Sequence, residues 1–411
     1  MPEHNRLGRP FWTFWSAAAL ANLGDGIRVA AFPLLAAALT DDPLAVGAVA
    51  AAQFLPWLVS GMLAGALADR RATRTLLAAA DTGRVVVLAA LATTVALGWA
   101  TISLVVAAAF LLGVGETIRD TAAQTAVPRL VSDAQLEKAN GRLVAGEIVG
   151  NEFVGPPVGA LLFVLGAAIP FAVNGATLAL AVMLVLSLPL PLAQRATAAA
   201  GDAPPSADGD GALAGLRWLV RQPMLRTLVL VTAAVAAADT AWFAIFVLYA
   251  RDALGLGAFG FGLLLATGAA GGLIGSFAAD RLVDRFQHRS VLTWSMAVTA
   301  GVPVLLAVVG HRAVAVVVVV TTSAAFAVLN VAALSVRQRL VPGGLLGRVI
   351  AASRVVTYSC TALGALAGGA LAAGAGIEAP FLFSGVVAVA ATIAWWVASR
   401  PTGPGTALGL R

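Results

Sequence analysis

Apolar runs long enough to cross a lipid bilayer follow one another along almost the whole sequence, and this one feature excludes most folds. Residues 313–330, AVAVVVVVTTSAAFAVLN, carry no charge at all. A hydrocarbon core about 30 Å thick is crossed by about 20 such residues in a helix. Inside lipid the backbone amides find no water and must bond within their own segment, so each run is expected to be helical. Divided at charges, Pro and Gly, the sequence yields twelve spans, at 11–39, 44–68, 75–99, 102–127, 141–165, 168–190, 223–250, 258–280, 289–309, 313–338, 346–374 and 379–399. The chain is 60% hydrophobic and 11% charged, whereas a soluble domain has about a quarter of its residues charged. It reads as an all-α, polytopic membrane protein.

The charges that remain are sorted by side. Arg6 and Arg9, Arg70, Arg71 and Arg74, Arg129, Lys138 and Arg142, Arg195, Arg217 and Arg221, Arg281, Arg285 and Arg289, Arg339, and Arg400 all fall at one set of span ends. The other set holds Asp41, Asp42 and Glu378, with only Arg251 and Arg312 as cations. By the positive-inside rule both termini are cytoplasmic, in a multi-pass cell-membrane protein. The opening MPEHNRLGRP is a short basic leader into a run too long for a signal-peptide core, so it reads as a retained first helix.

The net charge of +6 is scattered over short loops, which points to membrane orientation and away from nucleic acid. Cys360 is the one cysteine, which excludes an intramolecular disulfide and a cysteine metal cluster. His4, His288 and His311 lie at span edges, and there is no HExxH or Walker loop. No cofactor, metal or enzymatic activity is expected, although a membrane-embedded enzyme is the reading from a different functional class.

Residues 193–216 are rich in Ala, Pro, Gly, Asp and Ser and read as a mobile cytoplasmic linker. The halves on either side, 1–192 and 217–411, repeat each other. Asp239 follows Asp25 by 214 residues, Phe246 follows Phe32, Gln338 follows Gln124, and Pro342 follows Pro128, all at that same offset. The loop DRRATR at 69–74 recurs as DRFQHR at 284–289. Two parallel six-helix halves are the arrangement of repeat-built transporters, whose substrate sites lie between halves near the bilayer midplane.

The stretch GALADRRATR, Gly65 to Arg74, resembles the signature loop between helices 2 and 3 of the major facilitator superfamily, with Ala72 and Thr73 departing from its usual pattern. GPPVG in the fifth span resembles the motif of that superfamily's exporters, with Asn151 and Ala160 in place of two of its glycines. NLGDGIRVAAFPLL, VPRLVSDAQLEKANG and GLRWLVRQPMLR look like the twelve-helix macrolide and siderophore exporters.

The resemblance implies a monomer that moves a small molecule across the bilayer by alternating access, exporting a hydrophobic or amphipathic compound in exchange for protons. Export of a siderophore or other endogenous metabolite, or proton-independent uptake, are the alternatives. It also implies gates: Asp69 with Gly65, Arg70 and Arg74 against the start of span 11 near Gly347 and Arg348. The second copy, Asp284 with Arg285 and Arg289, would face the start of span 5 near Arg142. Finally, it implies that spans 1, 4, 7 and 10 line the central cavity. Asp25, Glu116, Asp239 and Asn330 fall on those four spans, and Glu116 and Asn330 are also 214 apart.

A charge facing lipid costs several kcal/mol on most scales, so such residues face a cavity or each other. Arg28 is placed to pair with Asp25, and Arg119 with Glu116, each three residues on. Asp81 and Arg84 are expected to pair with each other or with the Asp69 loop. Asp239 has no cation within four residues, and Val235, Ala236, Trp242 and Phe243 at helical spacing favour its neutral form. Asp239 is therefore the first candidate for proton coupling, among Asp25, Arg28, Glu116 and Asn330. Asn22, Trp242 and Phe243 are candidates to line the substrate path, or the aromatics are plain packing. Gly155, Pro156 and Gly159 are expected to bend span 5 and admit close helix contact. Glu147, Glu152 and Arg354 are expected to form interface pairs, with Glu152 a second proton site.

Overall fold

The computed structural model describes residues 7–70, 72–132, 135–188 and 210–400. Among them there is no strand. The helices are α1 (Arg9–Leu39), α2 (Pro43–Arg70), α3 (Thr73–Ala96), α4 (Ile102–Leu130), α5 (Leu136–Glu147), a π-helical segment (Ile148–Val154), α6 (Gly155–Leu165) and α7 (Ile169–Ser187). They continue as α8 (Asp210–Arg221), α9 (Pro223–Ala244), α10 (Phe246–Asp252), α11 (Ala258–Gly301), α12 (Val304–Val308), α13 (Arg312–Leu340), α14 (Gly343–Ala375) and α15 (Ala379–Ala398).

Among the described residues, ten helices are long and apolar enough to cross a membrane. One of these stretches runs from Ala258 to Val308 and covers two of the spans read from the sequence. The boundary between the two is a break at Gln287, whose backbone sits at φ 65, ψ 149. A non-glycine residue with positive φ is uncommon, and here it separates an apolar helix ending in charges from the next apolar helix.

Two compact units emerge. One comprises Met1–Thr40, Ala52–Ala203 and Gly257–Ala266; the other comprises Asp41–Ala51, Pro204–Leu256 and Thr267–Arg411. In the first, α1 packs against α6, α7 and the π-helical segment, and α3 lies between α4 and α7. The α1 contact is close because glycines form it. A Cβ at Gly155 would strike Gly26, one at Gly159 would strike the Ile27 carbonyl, and one at Gly150 would lie 3.1 Å from the Leu23 nitrogen. In the second unit α9 packs on α14 in the same way, with Gly364 against Ala237 and Gly368 against Ala241. Gly364 follows Gly150 by 214 residues, and Ala237 follows Leu23 by 214. The repeat read from sequence thus reappears as a repeated backbone contact.

A second echo runs at a different offset. Pro170, Phe171 and Asn174 of α7 correspond to Pro380, Phe381 and Ser384 of α15, each 210 apart. Phe171, Asn174, Phe381 and Ser384 are all fully buried.

Pro156 and Pro157 have no N–H, so the carbonyls of Glu152 and Phe153 lose their α-helical donors. The bend expected at Gly155-Pro156 takes the form of the π-helical turn just before it, where the Gly155 N–H bonds to the Gly150 carbonyl. The reading of 193–216 as linker needs correction at its end. Residues 210–216 belong to α8, which packs on α14, with Leu219 buried in the core and Gly215 against the Arg348 backbone. Leu213, Leu216 and Leu219 recur at helical spacing there, which the surrounding Ala, Gly and Asp obscure. The 193–209 part lies outside the described residues.

Candidate functional site

In the first unit the charges buried within the spans meet in one continuous chain across α1, α3 and α4. Arg28 donates to Glu116 and lies 3.3 Å from Asp25 Oδ1. Asp25 also accepts from Arg84. Arg84 Nη1 donates to Asp81 Oδ1 at 3.2 Å, and Arg119 Nε to Asp81 Oδ2 at 3.2 Å. Arg119 Nη1 then reaches Asp120 Oδ1 at 3.5 Å. The signs alternate along Glu116, Arg28, Asp25, Arg84, Asp81, Arg119 and Asp120. The five inner members are buried, whereas the Glu116 and Asp120 side chains at the two ends are 29% and 40% exposed.

This is how α1 tolerates Asp25 and Arg28: each has an opposite charge on a neighbouring helix, with Arg28 engaged through Nη2 while its Nε and Nη1 are buried without a hydrogen bond. The pairings Asp25–Arg28 and Asp81–Arg84 follow the sequence expectation. Glu116, however, pairs with Arg28, and Arg119 turns to Asp81 and Asp120. Helical spacing sees only partners on one helix, so the Asp25–Arg84 bond across 59 residues gave no sequence signal.

At the corresponding positions the second unit has lost every cation of this chain. At the 214 offset Arg28 and Arg119 correspond to Trp242 and Ala333, and Asp120 to Leu334, while at the 215 offset of the loop before α3 Asp81 and Arg84 correspond to Met296 and Thr299. Asp239 remains. No ion pair among the described residues involves it, and its Oδ1 is buried beside the Trp242 indole, whose Nε1 is likewise buried without a formed hydrogen bond. Asn330, the counterpart of Glu116, is exposed on α13.

The aromatic side of Asp239 divides in two. Trp242 is 2% exposed and packs against Phe246 and Phe381, with centroids 5.1 Å and 5.8 Å away, so its surface is spent on the core. Phe243 is 38% exposed. Asn22 is half-buried, and its Cβ would lie 3.4 Å from a Cβ placed on Gly150. Tyr249, which sequence reading passed over, is buried beside Phe381 and donates to the Leu306 carbonyl at 2.7 Å.

Of the gating candidates, the side chains of Gly65, Asp69 and Arg70 lie outside the described residues. Arg74 is half-buried with its Nε unpartnered. Arg142 lies over the Trp12 ring at 5.1 Å, and its carbonyl accepts from Trp15 Nε1 at 2.9 Å. Asp284 and Arg285 are exposed, with the Arg285 guanidinium over Phe286. Arg289 instead ties α11 to α15, donating to Ser399 Oγ at 3.0 Å and to the Trp396 carbonyl at 3.1 Å. Glu152 and Arg354 are exposed and form no ion pair among the described residues.

Several solved structures with a similar fold are named as transporters. The nucleoside transporter NupG superposes with a TM-score of 0.81 at 12% identity, covering 95% of this chain and all of that one. A bacterial homologue of the iron transporter ferroportin gives 0.77 at 16%, covering 96% of this chain and all of that one. A bacterial homologue of the lysosomal transporter Spinster gives 0.73 at 14%, covering 95% and 96%. At these identities the likeness is one of fold alone. Residues 8–405 match the family model of the transmembrane secretion effectors, MFS_3, and the chain belongs to that family. Uncharacterised MFS-type transporters of Mycobacterium bovis and Mycobacterium tuberculosis are each 31% identical over 151 residues, 35% of this chain. The match spans about a third of those relatives' length, 33%.

Proposed function

We propose that the chain is a proton-coupled exporter of hydrophobic or amphipathic small molecules, with Asp239 as the coupling carboxylate. It crosses the membrane twelve times with both termini cytoplasmic, and it moves substrate by alternating access. The observation that carries the coupling assignment is the contrast between the repeats: Asp25 is tied to two guanidiniums, while Asp239 has a buried oxygen and no ion pair among the described residues.

An ion-paired carboxylate keeps its charge and holds its helices together. An unpaired one in a membrane helix is tolerable with a proton bound, and it releases that proton when water reaches it. Phe243, exposed one turn along α9, supplies apolar surface for cargo on the same helix. The fold is shared by transporters named for nucleosides and for iron, so cargo is argued from these side chains alone.

The test is proton release from purified protein on addition of amphipathic compounds in weakly buffered solution. A transporter of this kind releases protons on binding while the compound is recovered unchanged. Binding without proton release would remove the coupling assignment, and chemical conversion of the compound would remove the transporter reading.

A further inference from the structure

One face of α11 has an apolar length and a basic end. Ile274, Phe277, Leu282 and Phe286 line a groove of about 580 Å³ together with Arg281 and Arg285. Phe277 is 75% exposed, Ile274 63% and Phe286 51%, so the apolar part is open along its length. The two arginines are one helical turn apart. The Arg281 Nη1 caps the Phe277 carbonyl at 3.2 Å, and the Arg285 guanidinium lies 5.5 Å from the Phe286 ring centroid. Asp280 and Asp284 are exposed on the same helix but do not line the groove.

Depth along the helix gives the groove its chemistry. At 1.5 Å per residue, the 11 residues from Ile274 to Arg285 cover about 17 Å. Counted from Ala258, a hydrocarbon core of about 30 Å is crossed by about residue 278. Ile274 and Phe277 therefore sit at acyl-chain depth, while Arg281 and Arg285 sit in the headgroup layer. Arginines that only orient a span require no apolar groove leading to them.

We infer that this face of α11 binds an anionic phospholipid, with an acyl chain along Ile274, Phe277 and Leu282 and the phosphate at Arg281 and Arg285. The occupant is a lipid because the apolar part is open at membrane depth. It is an anionic one because the groove's lining contains two guanidiniums and no carboxylate.

The test is native mass spectrometry of the full chain titrated with phosphatidylglycerol or phosphatidylcholine. Arg281→Gln/Arg285→Gln should weaken phosphatidylglycerol binding about twenty-fivefold, at about fivefold for each guanidinium, and leave phosphatidylcholine unchanged. Phe277→Ala, which keeps both charges, should weaken both lipids. Arg221→Gln, an exposed arginine on α8, should change neither. Undiminished phosphatidylglycerol binding in the double variant or in Phe277→Ala overturns the assignment. So does an equal loss in Arg221→Gln, or phosphatidylcholine binding as tight as phosphatidylglycerol in the native chain.

Discussion

Replacing Arg84 by methionine should destabilise the first unit by about 3–5 kcal/mol, the usual cost of removing one partner from a buried ion pair. Arg84 is 1% exposed and bridges Asp25 and Asp81, which are 5% and 1% exposed. Methionine fills most of the space, so the loss is electrostatic and not a cavity. Asp25 keeps Arg28 and Asp81 keeps Arg119, which holds the effect within that range. The chain of charges already has four carboxylates to three guanidiniums, and the variant makes this four to two. Adding Asp81→Asn restores an excess of one carboxylate and should recover about 1–2 kcal/mol, a coupling typical of residues in one network. Arg84→Lys should fall between, since one ammonium cannot fork to two carboxylates. Reversible unfolding in mixed detergent and SDS micelles gives these free energies. A loss below about 1 kcal/mol for Arg84→Met would refute the network as a stabilising element of the unit.

Gly26→Leu should abolish the α1 contact with the π-helical turn, because a Cβ there already meets the Gly150 and Asn151 carbonyls; at least about 3 kcal/mol of stability is expected to go, by the same unfolding assay. Tyr249→Phe removes one buried hydrogen bond to the Leu306 carbonyl and should cost about 1–2 kcal/mol, with thermal unfolding as the readout. A reporter fused at residue 205 should indicate the cytoplasm; an outside signal would reverse the proposed orientation.

The repeat was legible because helix 1 and helix 4 keep one offset, so Asp25 and Asp239 could be related before any contact was known. The echo between α7 and α15 is harder to see because its offset is 210, four residues short of the 214 kept by helices 1 and 4. Charges on the spans were visible one by one. Their connection was not: Arg84 lies on α3 and reaches Asp25 on α1, and no spacing rule links residues on separate helices. Trp242 illustrates the converse limit. Helical spacing puts it beside Asp239, where it stays, but only tertiary packing decides that its ring is buried against Phe381 and the core. The π-helical turn follows from Pro156 and Pro157, yet the prolines alone specify a bend without saying which carbonyls the backbone will re-pair.

Transport into proteoliposomes under an imposed pH gradient, with native protein and Asp239→Asn compared on amphipathic compounds, tests the central claim most directly. The native protein should accumulate substrate against its concentration only while the gradient is present. Asp239→Asn keeps the shape and fixes the site neutral, so it should still exchange labelled for unlabelled substrate and ignore the gradient. Gradient-driven accumulation by Asp239→Asn at the native rate would contradict the account and move the coupling site away from α9.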